Sequence, residues 1–333
     1  MSFSEYSYGK ASFLELFVSS HISHIKEELY PDRTWDSLPK CEPQKIRNYW
    51  DRTGSPAFLY VDAHGGLGFW ANKAGEDCLG SSVMVYRLLD RLHVPYLSLV
   101  FEKRSDRFNI LKSHLRWAMQ PVKAYNCDNR ELANKLPSIA EKFRIDTDTT
   151  PGLIFYDNDG VGSASELMNI TENSNFDILI HSHSTGFKRK SRTAEGIRED
   201  KKILDHVHEY NRRNWFISHP LDLGHNHGNF FFLHGSNRYN HPLIPPLFNI
   251  DSQRGKRCQE KILYTNSEIE EMDNNHEDLE RLIPNRLNVE VQELVSESPL
   301  SAEEVVETES TEGNINLADN IFDSLGMEEP PSS

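Results

Sequence analysis

The sequence predicts an α/β protein built on a doubly wound, mostly parallel sheet. Three observations lead to this prediction. Short apolar runs that begin at Phe58, Tyr96, Val122 and Gly152 read as buried strands. Helix-like stretches separate them, and each run ends in polar or acidic residues. In open α/β sheets the ligand binds at the carboxyl ends of the strands, so we expect a functional site where these polar ends meet.

The first apolar run, residues 58–61, ends in Asp62, and three glycines follow it at Gly65, Gly66 and Gly68. Glycine permits a sharp turn and lets a ligand approach the backbone closely. A glycine loop of this kind also occurs in ordinary hairpins, so the prediction of a binding loop depends on what comes next.

The second unit consists of a helix-like stretch, residues 81–92, and an apolar strand, residues 96–101, that ends in Glu102. An acid at the tip of the second strand is where doubly wound nucleotide-binding folds hydrogen-bond ribose hydroxyls. It follows Asp62 by about forty residues, twice the usual spacing, and an insertion at residues 71–80 accounts for much of the excess.

Two further units repeat the pattern. A strand at residues 122–125 is followed by Asp128 and a helix-like stretch at residues 130–143. A strand at residues 152–156 is followed by Asp157 and Asp159. The repetition, more than any single motif, indicates a ligand site at one edge of the sheet.

This order of motifs resembles class I S-adenosylmethionine-dependent methyltransferases, and within them it is most similar to the three-Cys-motif partner family of bacteria and phages. The shared features are an Asp-x-(Phe/His)-x-Gly loop after the first strand, a Gly-Ser helix start at residues 80–81, an acid at Glu102, an Asp-x-Asn-like step at Asp128, and an Asp-Pro-Tyr-Gly-like strand end at residues 157–160. The resemblance covers roughly residues 40–242.

The resemblance implies S-adenosylmethionine as cofactor and a role for each matching residue. The cofactor-binding residues it implies are Asp62, Gly65, Gly66, Gly68, Glu102 and Asp128. Of these, Glu102 would accept the ribose hydroxyls and Asp128 the adenine amine. Asp157 and Asp159 would face the acceptor as catalytic residues, and the family context favours a nucleic-acid base amino group as that acceptor.

Two alternatives stay open. The chain lacks the proline of the Asp-Pro-Tyr-Gly motif, which favours a methyltransferase fold without activity that serves as a binding or regulatory partner. The strand-end acids Asp62, Asp157 and Asp159 together with a histidine would also suit a metal-dependent hydrolase. No histidine stands in a spacing that commits it as a metal ligand, and the four cysteines show no metal or redox spacing.

The most basic segment contains Lys188, Arg189, Lys190 and Arg192. Several cations so close together suit phosphate contacts, and the segment therefore predicts nucleic-acid binding. The alternative is a solvated charged loop without a ligand.

We predict three parts of the chain: an N-terminal helical extension (1–40), a methyltransferase-like domain (41–265) and a disordered acidic tail (266–333). Charge distinguishes the tail from the other two parts. The tail holds 19 acidic and 2 basic side chains of the 51 and 36 in the chain. Such a composition is typical of disorder. The tail either solubilises the protein, or forms a short acidic-hydrophobic helix that docks on a protein partner or mimics nucleic acid within the molecule.

The N-terminal extension either packs on the sheet or shapes the substrate entrance. Neither a membrane-spanning apolar run nor a secretory signal is visible, so we expect a cytoplasmic protein without a membrane partner.

Overall fold

The computed structural model describes residues 5–29, 56–71, 77–116, 118, 122–157, 171–183, 213–220, 230–245 and 247–263. The helices in these ranges are α1 (Glu5–Leu29), α2 (Ser81–Arg91), α3 (Ser105–Leu115), α4 (Leu132–Lys142) and α5 (Gln253–Leu263). The strands are β1 (Phe58–Asp62), β2 (Phe69–Ala71), β3 (Asp77–Leu79), β4 (Tyr96–Phe101), β5 (Val122–Tyr125), β6 (Gly152–Asp157), β7 (Phe176–His183), β8 (Asn214–Ser218), β9 (Phe230–Ser236) and β10 (Leu247–Asn249).

Eight of these strands form one sheet in the order β5-β4-β1-β6-β7-β9-β8-β10. The strands from β5 to β7 are parallel, while β9 runs antiparallel to both β7 and β8. The chain moves outward from β1 through β4 to β5 and then returns to place β6 on the other side of β1. The strand order therefore reverses between β1 and β6, and such a switch point is where open α/β sheets bind ligands.

This topology confirms the predicted α/β fold class, a doubly wound, mostly parallel sheet, and helices lie on both of its faces. Alternate residues of each strand enter different cores, because successive side chains point to opposite faces. Phe58 and Tyr60 of β1 join the core under α1, α2 and α3, whereas Leu59 and Val61 join the core under α4 and α5. Burial on both faces explains why these strands read as continuous apolar runs.

Helix α1 crosses the first face of the sheet from the carboxyl edge towards the amino edge. The Phe13 ring of α1 stacks on the Phe232 ring of β9, with 3.8 Å between the ring centroids. One turn further on, Phe17 meets the edge of the His234 ring at 4.7 Å. These contacts recur at helical spacing, so one stripe of α1 is buried. The described part of the N-terminal extension, α1, therefore packs on the sheet, as one of the two predictions for this extension states.

At the amino edge, α1 contributes His21 to a buried polar cluster with Asp177 and His234. Nδ1 of His21 lies 3.3 Å and Nε2 of His234 lies 3.2 Å from Oδ2 of Asp177. Burial lowers the pKa of His21 to about 4, so this ring is neutral at pH 7. Burial opposes ionisation of Asp177, but the two histidines outweigh it and lower its pKa.

The described residues of the insertion predicted at residues 71–80 include the end of β2 and all of β3, which pair antiparallel. The amide of Gly80 donates to the carbonyl of Gly68 at 2.7 Å and thereby closes the hairpin at its base. The strands β2 and β3 were not foreseen from the sequence, because three residues are too few to show a period.

Several predictions fall on residues outside the described ranges. These are Asp159, the basic segment with Lys188, Arg189, Lys190 and Arg192, and the acidic tail. The division of the chain after residues 40 and 265 also stays a prediction. Among the described helices, none combines the length and the apolar character needed to cross a membrane.

Candidate functional site

Acidic side chains gather at the carboxyl edge of the sheet, as the sequence predicts. Asp62 ends β1, Glu102 follows β4, Asp128 follows β5 and Asp157 ends β6. These strands are neighbours in the sheet, so their carboxyl ends lie side by side around the switch point.

Asp62 is completely buried and holds the glycine loop to the start of α2. Its Oδ2 accepts hydrogen bonds from the hydroxyls of Ser81 at 2.7 Å and Ser82 at 2.8 Å. Its Oδ1 accepts the backbone N–H of His64 at 2.9 Å. Burial raises the pKa of Asp62, although these hydrogen bonds oppose the shift. Its hydrogen-bond donors here are neutral groups.

Glu102 ties the middle of the glycine loop to the tip of β4. Its Oε2 accepts the N–H of Gly66 at 2.9 Å, and its Oε1 accepts the N–H of Arg104 at 2.8 Å. The residue is 8% exposed. Each carboxylate oxygen can accept a second hydrogen bond, so this acid can hold the loop and still receive two hydroxyl groups.

The three glycines of the loop serve different purposes. A Cβ on Gly65 would lie 2.5 Å from Cγ1 of Val100 and 2.6 Å from Cδ2 of Leu111, so close packing requires glycine there. Gly68 has φ +79° and is also closely packed, whereas Gly66 has φ +61° and open space where its side chain would be. Of the three, Gly66 is the position where a ligand can approach the backbone.

Asp128 lies at the rim of the site and caps the 3-10 turn Asn129–Glu131. Its Oδ2 lies 2.7 Å from Nζ of Lys103 and 2.8 Å from a guanidinium nitrogen of Arg130. Hydrogen bonds from Arg130 and Lys103 hold the pKa of Asp128 far below its usual value. The carboxylate is therefore ionised at neutral pH. Its acceptor positions are already filled, because Oδ1 accepts the backbone N–H and the Nε–H of Arg130, while Oδ2 accepts Lys103 and a second guanidinium donor of Arg130. A further donor such as an amine would have to replace one of these bonds.

A polar network that was not foreseen from the sequence joins three elements at this edge. The Asn129 amide nitrogen lies 2.6 Å from Nε2 of His64 and donates to the Tyr156 hydroxyl at 3.1 Å. The rings of His64 and Tyr156 meet edge to face at 4.9 Å. With the amide nitrogen as donor, Nε2 of His64 must accept, which assigns the ring proton to Nδ1. His64 and Asn129 each stand in a motif position, but only the fold brings them together.

Asp157 is held by two basic side chains. Nζ of Lys10 lies 2.7 Å from its Oδ2, and Nδ1 of His181 lies 2.6 Å from its Oδ1. Burial opposes ionisation, but Lys10 and His181 outweigh it and keep the pKa of Asp157 well below its usual range. Nothing in the sequence indicates Lys10, which lies 147 residues from its partner and in a different element.

Asp62 and Asp157 share one face of two neighbouring strands. Phe155 pairs with Asp62 in the register of β1 and β6, and Asp157 follows two residues later on the same face. Burial, followed by the nearby charges of both acids, raises the pKa of the Tyr60 hydroxyl well above its usual value. Asp157 thus lies at the same edge and on the same face of the sheet as Asp62, the residue that precedes the glycine loop.

Two histidines on described strands pair with carboxylates. His181 pairs with Asp157, and His234 pairs with Asp177. In the part of the chain that the structure describes, no three His, Cys, Asp or Glu side chains are grouped so as to hold a metal ion.

Several solved methyltransferases are similar in structure. The O-methyltransferase TomG of Streptomyces achromogenes, in complex with S-adenosylmethionine, is 12% identical, with 70% of this chain and 96% of TomG covered and a TM-score of 0.38. A methyltransferase from Geobacter sulfurreducens is 15% identical, with 66% and 89% covered and a TM-score of 0.31. TYW2 of P. horikoshii, in complex with MeSAdo, is 14% identical, with 60% and 64% covered and a TM-score of 0.28.

Neither a family model nor a curated protein matches the chain. At the identities and scores of the solved structures, the likeness carries no argument about activity. The fold assignment rests on the strand order itself, with β9 antiparallel between β7 and β8. What the described part of this chain has is a doubly wound, mostly parallel sheet of eight strands.

Proposed function

We propose that this protein is an S-adenosylmethionine-dependent methyltransferase. The observation that carries the proposal is the contact between Glu102 and Gly66, in which the acid at the tip of the second strand holds the one loop glycine that is both left-handed and open. This arrangement offers a nucleoside the two things it needs, acceptors for ribose hydroxyls and a backbone that it can approach.

The residues fit the cofactor as follows. Glu102 would accept the ribose hydroxyls on its remaining acceptor positions. Asp128 would accept the adenine amine at the rim in place of one of its present donors, Arg130 or Lys103. Gly66 would allow the methionine part to approach the loop. Asp62 would act through the loop, because its side chain is fully buried and already accepts three hydrogen bonds at 2.7–2.9 Å. The cofactor, when bound, supplies an electrophilic methyl group, and the protein orients the acceptor and excludes water.

For the acceptor, we propose a nucleic-acid base amino group, in a bacterial or phage protein akin to the three-Cys-motif partner family. Asp157 would accept a hydrogen bond from that amine, with Asp159 nearby in sequence. Lys188, Arg189, Lys190 and Arg192 would bind phosphates. Support for this narrower proposal comes from the sequence motifs together with the position of Asp157 at the carboxyl edge, on the face that it shares with Asp62.

A second candidate is a methyltransferase fold without transfer activity that acts as a binding or regulatory partner. The engagement of both Asp157 oxygens by Lys10 and His181 favours it, because these bonds compete with an incoming amine. The missing proline of the Asp-Pro-Tyr-Gly motif points the same way.

Calorimetric titration of the full-length protein with S-adenosylmethionine and S-adenosylhomocysteine tests the cofactor assignment. Loss of one charged hydrogen-bond acceptor costs about 1.5 kcal/mol, so we expect Glu102→Gln to weaken binding about tenfold. The matched control is Glu141→Gln, an exposed residue of α4 with the same change of charge, which should bind as wild type. No binding at millimolar ligand would overturn the proposal.

Transfer itself separates the two candidates. Unmethylated duplex DNA and single-stranded RNA are incubated with the protein and S-adenosylmethionine that carries a tritiated methyl group. Label in a base, and its loss in Asp157→Ala, would support the enzyme. A protein that binds the cofactor and labels neither nucleic acid would favour the binding partner or a different acceptor class.

A further inference from the structure

Lys10, in the N-terminal half of α1, reaches the carboxyl edge of the sheet and forms an ion pair there. We infer that Lys10 is a positioning residue of the methyl-transfer site, where it sets the charge and the orientation of Asp157. This inference rests on the proposed function and adds α1 to the site that the motifs define.

The pair is well placed and largely shielded from solvent. The side chains of Lys10 and Asp157 are 13% and 17% exposed, with 2.7 Å between Nζ and Oδ2. A lysine is buried to this extent in proteins when it is paired, because an unpaired ammonium loses too much hydration energy. The ion pair with Asp157 therefore accounts for the burial of the Lys10 side chain.

The helix that carries Lys10 is fixed to the sheet. Phe13, one turn away, stacks on Phe232 at 3.8 Å between centroids, and Phe17 packs against His234 at 4.7 Å. His181, the second partner of Asp157, lies with its ring 5.0 Å from that of Phe232. Phe232 thus supports both partners of Asp157, because it contacts the His181 ring directly and holds Phe13 on the helix that carries Lys10.

Asp157 projects from β6 on the face that Asp62 occupies on β1, beside the glycine loop. A carboxylate alone at this place would attract positive charge strongly. With the ammonium of Lys10 beside it, the pair is close to neutral, and Lys10 repels a cation that approaches the carboxylate. The opposite charges of Lys10 and Asp157 should therefore together determine how tightly the site binds a ligand that carries a positive charge at the transfer position.

Two cofactor analogues measure this balance without an acceptor. S-adenosylhomocysteine has a neutral sulfur at the transfer position, whereas sinefungin carries an amine there that is protonated at neutral pH. The ratio of their dissociation constants reports the local charge, because the rest of each molecule is the same.

The experiment is calorimetric titration of both ligands into full-length wild type, Lys10→Met, Lys10→Arg and Asp157→Asn. Removing one charge of a partly buried pair changes an interaction by about fivefold, so Lys10→Met should favour sinefungin by about that factor. Asp157→Asn should disfavour sinefungin to a similar extent. Lys10→Arg, which keeps the charge, should have the wild-type ratio, and so should the control Lys26→Met at the far end of the same helix.

An unchanged ratio in Lys10→Met, with normal binding of S-adenosylhomocysteine, would overturn the inference and leave the proposed function intact. If wild type binds neither ligand, the proposed function fails, and the inference fails with it. Should Lys10→Met not fold, Asp157→Asn decides, since its ratio must shift against sinefungin if the pair lies at the transfer position.

Discussion

Asp62 and Asp157 end neighbouring strands on one face of the sheet, yet the protein stabilises them in opposite ways. Around Asp62 the donors are two serine hydroxyls and a backbone amide, and burial raises its pKa. Around Asp157 the partners are a lysine and a histidine, which outweigh burial and lower its pKa. Asp62 therefore organises the glycine loop, whereas Asp157 holds a negative charge at the carboxyl edge of the sheet.

The largest effect should come from Asp62→Ala. This change leaves the Ser81 and Ser82 hydroxyls and the His64 amide without their acceptor in a buried place, which should cost roughly 3 kcal/mol of unfolding free energy. Urea denaturation measures it. Asp62→Asn keeps a carbonyl acceptor and should cost less. Equal losses in the two variants would show that the hydrogen bonds to Asp62 do not organise the loop.

The second effect separates the glycines beside Asp62. A Cβ at Gly65 would collide with Val100 and Leu111, and overpacking of this kind costs roughly 1–3 kcal/mol, so Gly65→Ala should lower stability. Gly66→Ala meets only the left-handed backbone strain, roughly 1–2 kcal/mol. Relative to its loss of stability, however, it should weaken cofactor binding more than Gly65→Ala does. Urea denaturation and calorimetry on both variants check this, and a Gly66→Ala protein with wild-type affinity would contradict it.

The third prediction uses the opposite pKa shifts. The folded-state pKa of Asp157 is depressed, so its contribution to stability is present above the unfolded pKa of about 4 and is lost as pH falls below it. The folded-state pKa of Asp62 is raised, so its contribution falls as pH rises from about 4 through that raised value. The difference in unfolding free energy between wild type and Asp157→Asn should therefore become smaller as pH falls. Wild-type unfolding free energy relative to Asp62→Asn should instead decline as pH rises.

Unfolding free energies in urea between about pH 3 and pH 7 provide that measurement. Asp148→Asn, at an exposed carboxylate in the turn before β6, is the control and should follow the wild-type curve closely. Parallel curves for Asp62→Asn and Asp157→Asn would refute the distinction between the two acids.

The smallest effect should come from Asp128→Asn at the rim. Its partners Lys103 and Arg130 are 66% and 67% exposed, and pairs of this kind contribute at most about 1 kcal/mol. We expect a small loss of stability by urea denaturation and a larger relative loss of cofactor affinity by calorimetry. A variant that loses stability but no affinity would remove Asp128 from the proposed adenine site.

Much of the sheet could be predicted from the sequence. The strand Tyr96–Phe101 and the strand Val122–Tyr125 have the predicted bounds, and the acid after each was expected at the carboxyl edge. These features are local, because an apolar run bounded by polar residues is visible wherever a strand is buried on both faces.

The partners of the acids could not be predicted in this way. The serines of α2 bind Asp62 from 19 and 20 residues away, and Lys10 binds Asp157 from 147 residues away. A sequence alone does not state which of many lysines and histidines will approach a given carboxylate, and the partner decides whether its pKa rises or falls.

The sequence by itself therefore determined the α/β alternation, the glycine loop and the acids at the strand ends, because backbone geometry and burial leave a periodic trace in the chain. The tertiary structure decided the strand order, the placement of α1 across the sheet and the opposite electrostatics of Asp62 and Asp157. These features depend on which residues, distant in the sequence, come into contact. Burial strengthens the electrostatic effect of each contact, because charges interact more strongly away from water.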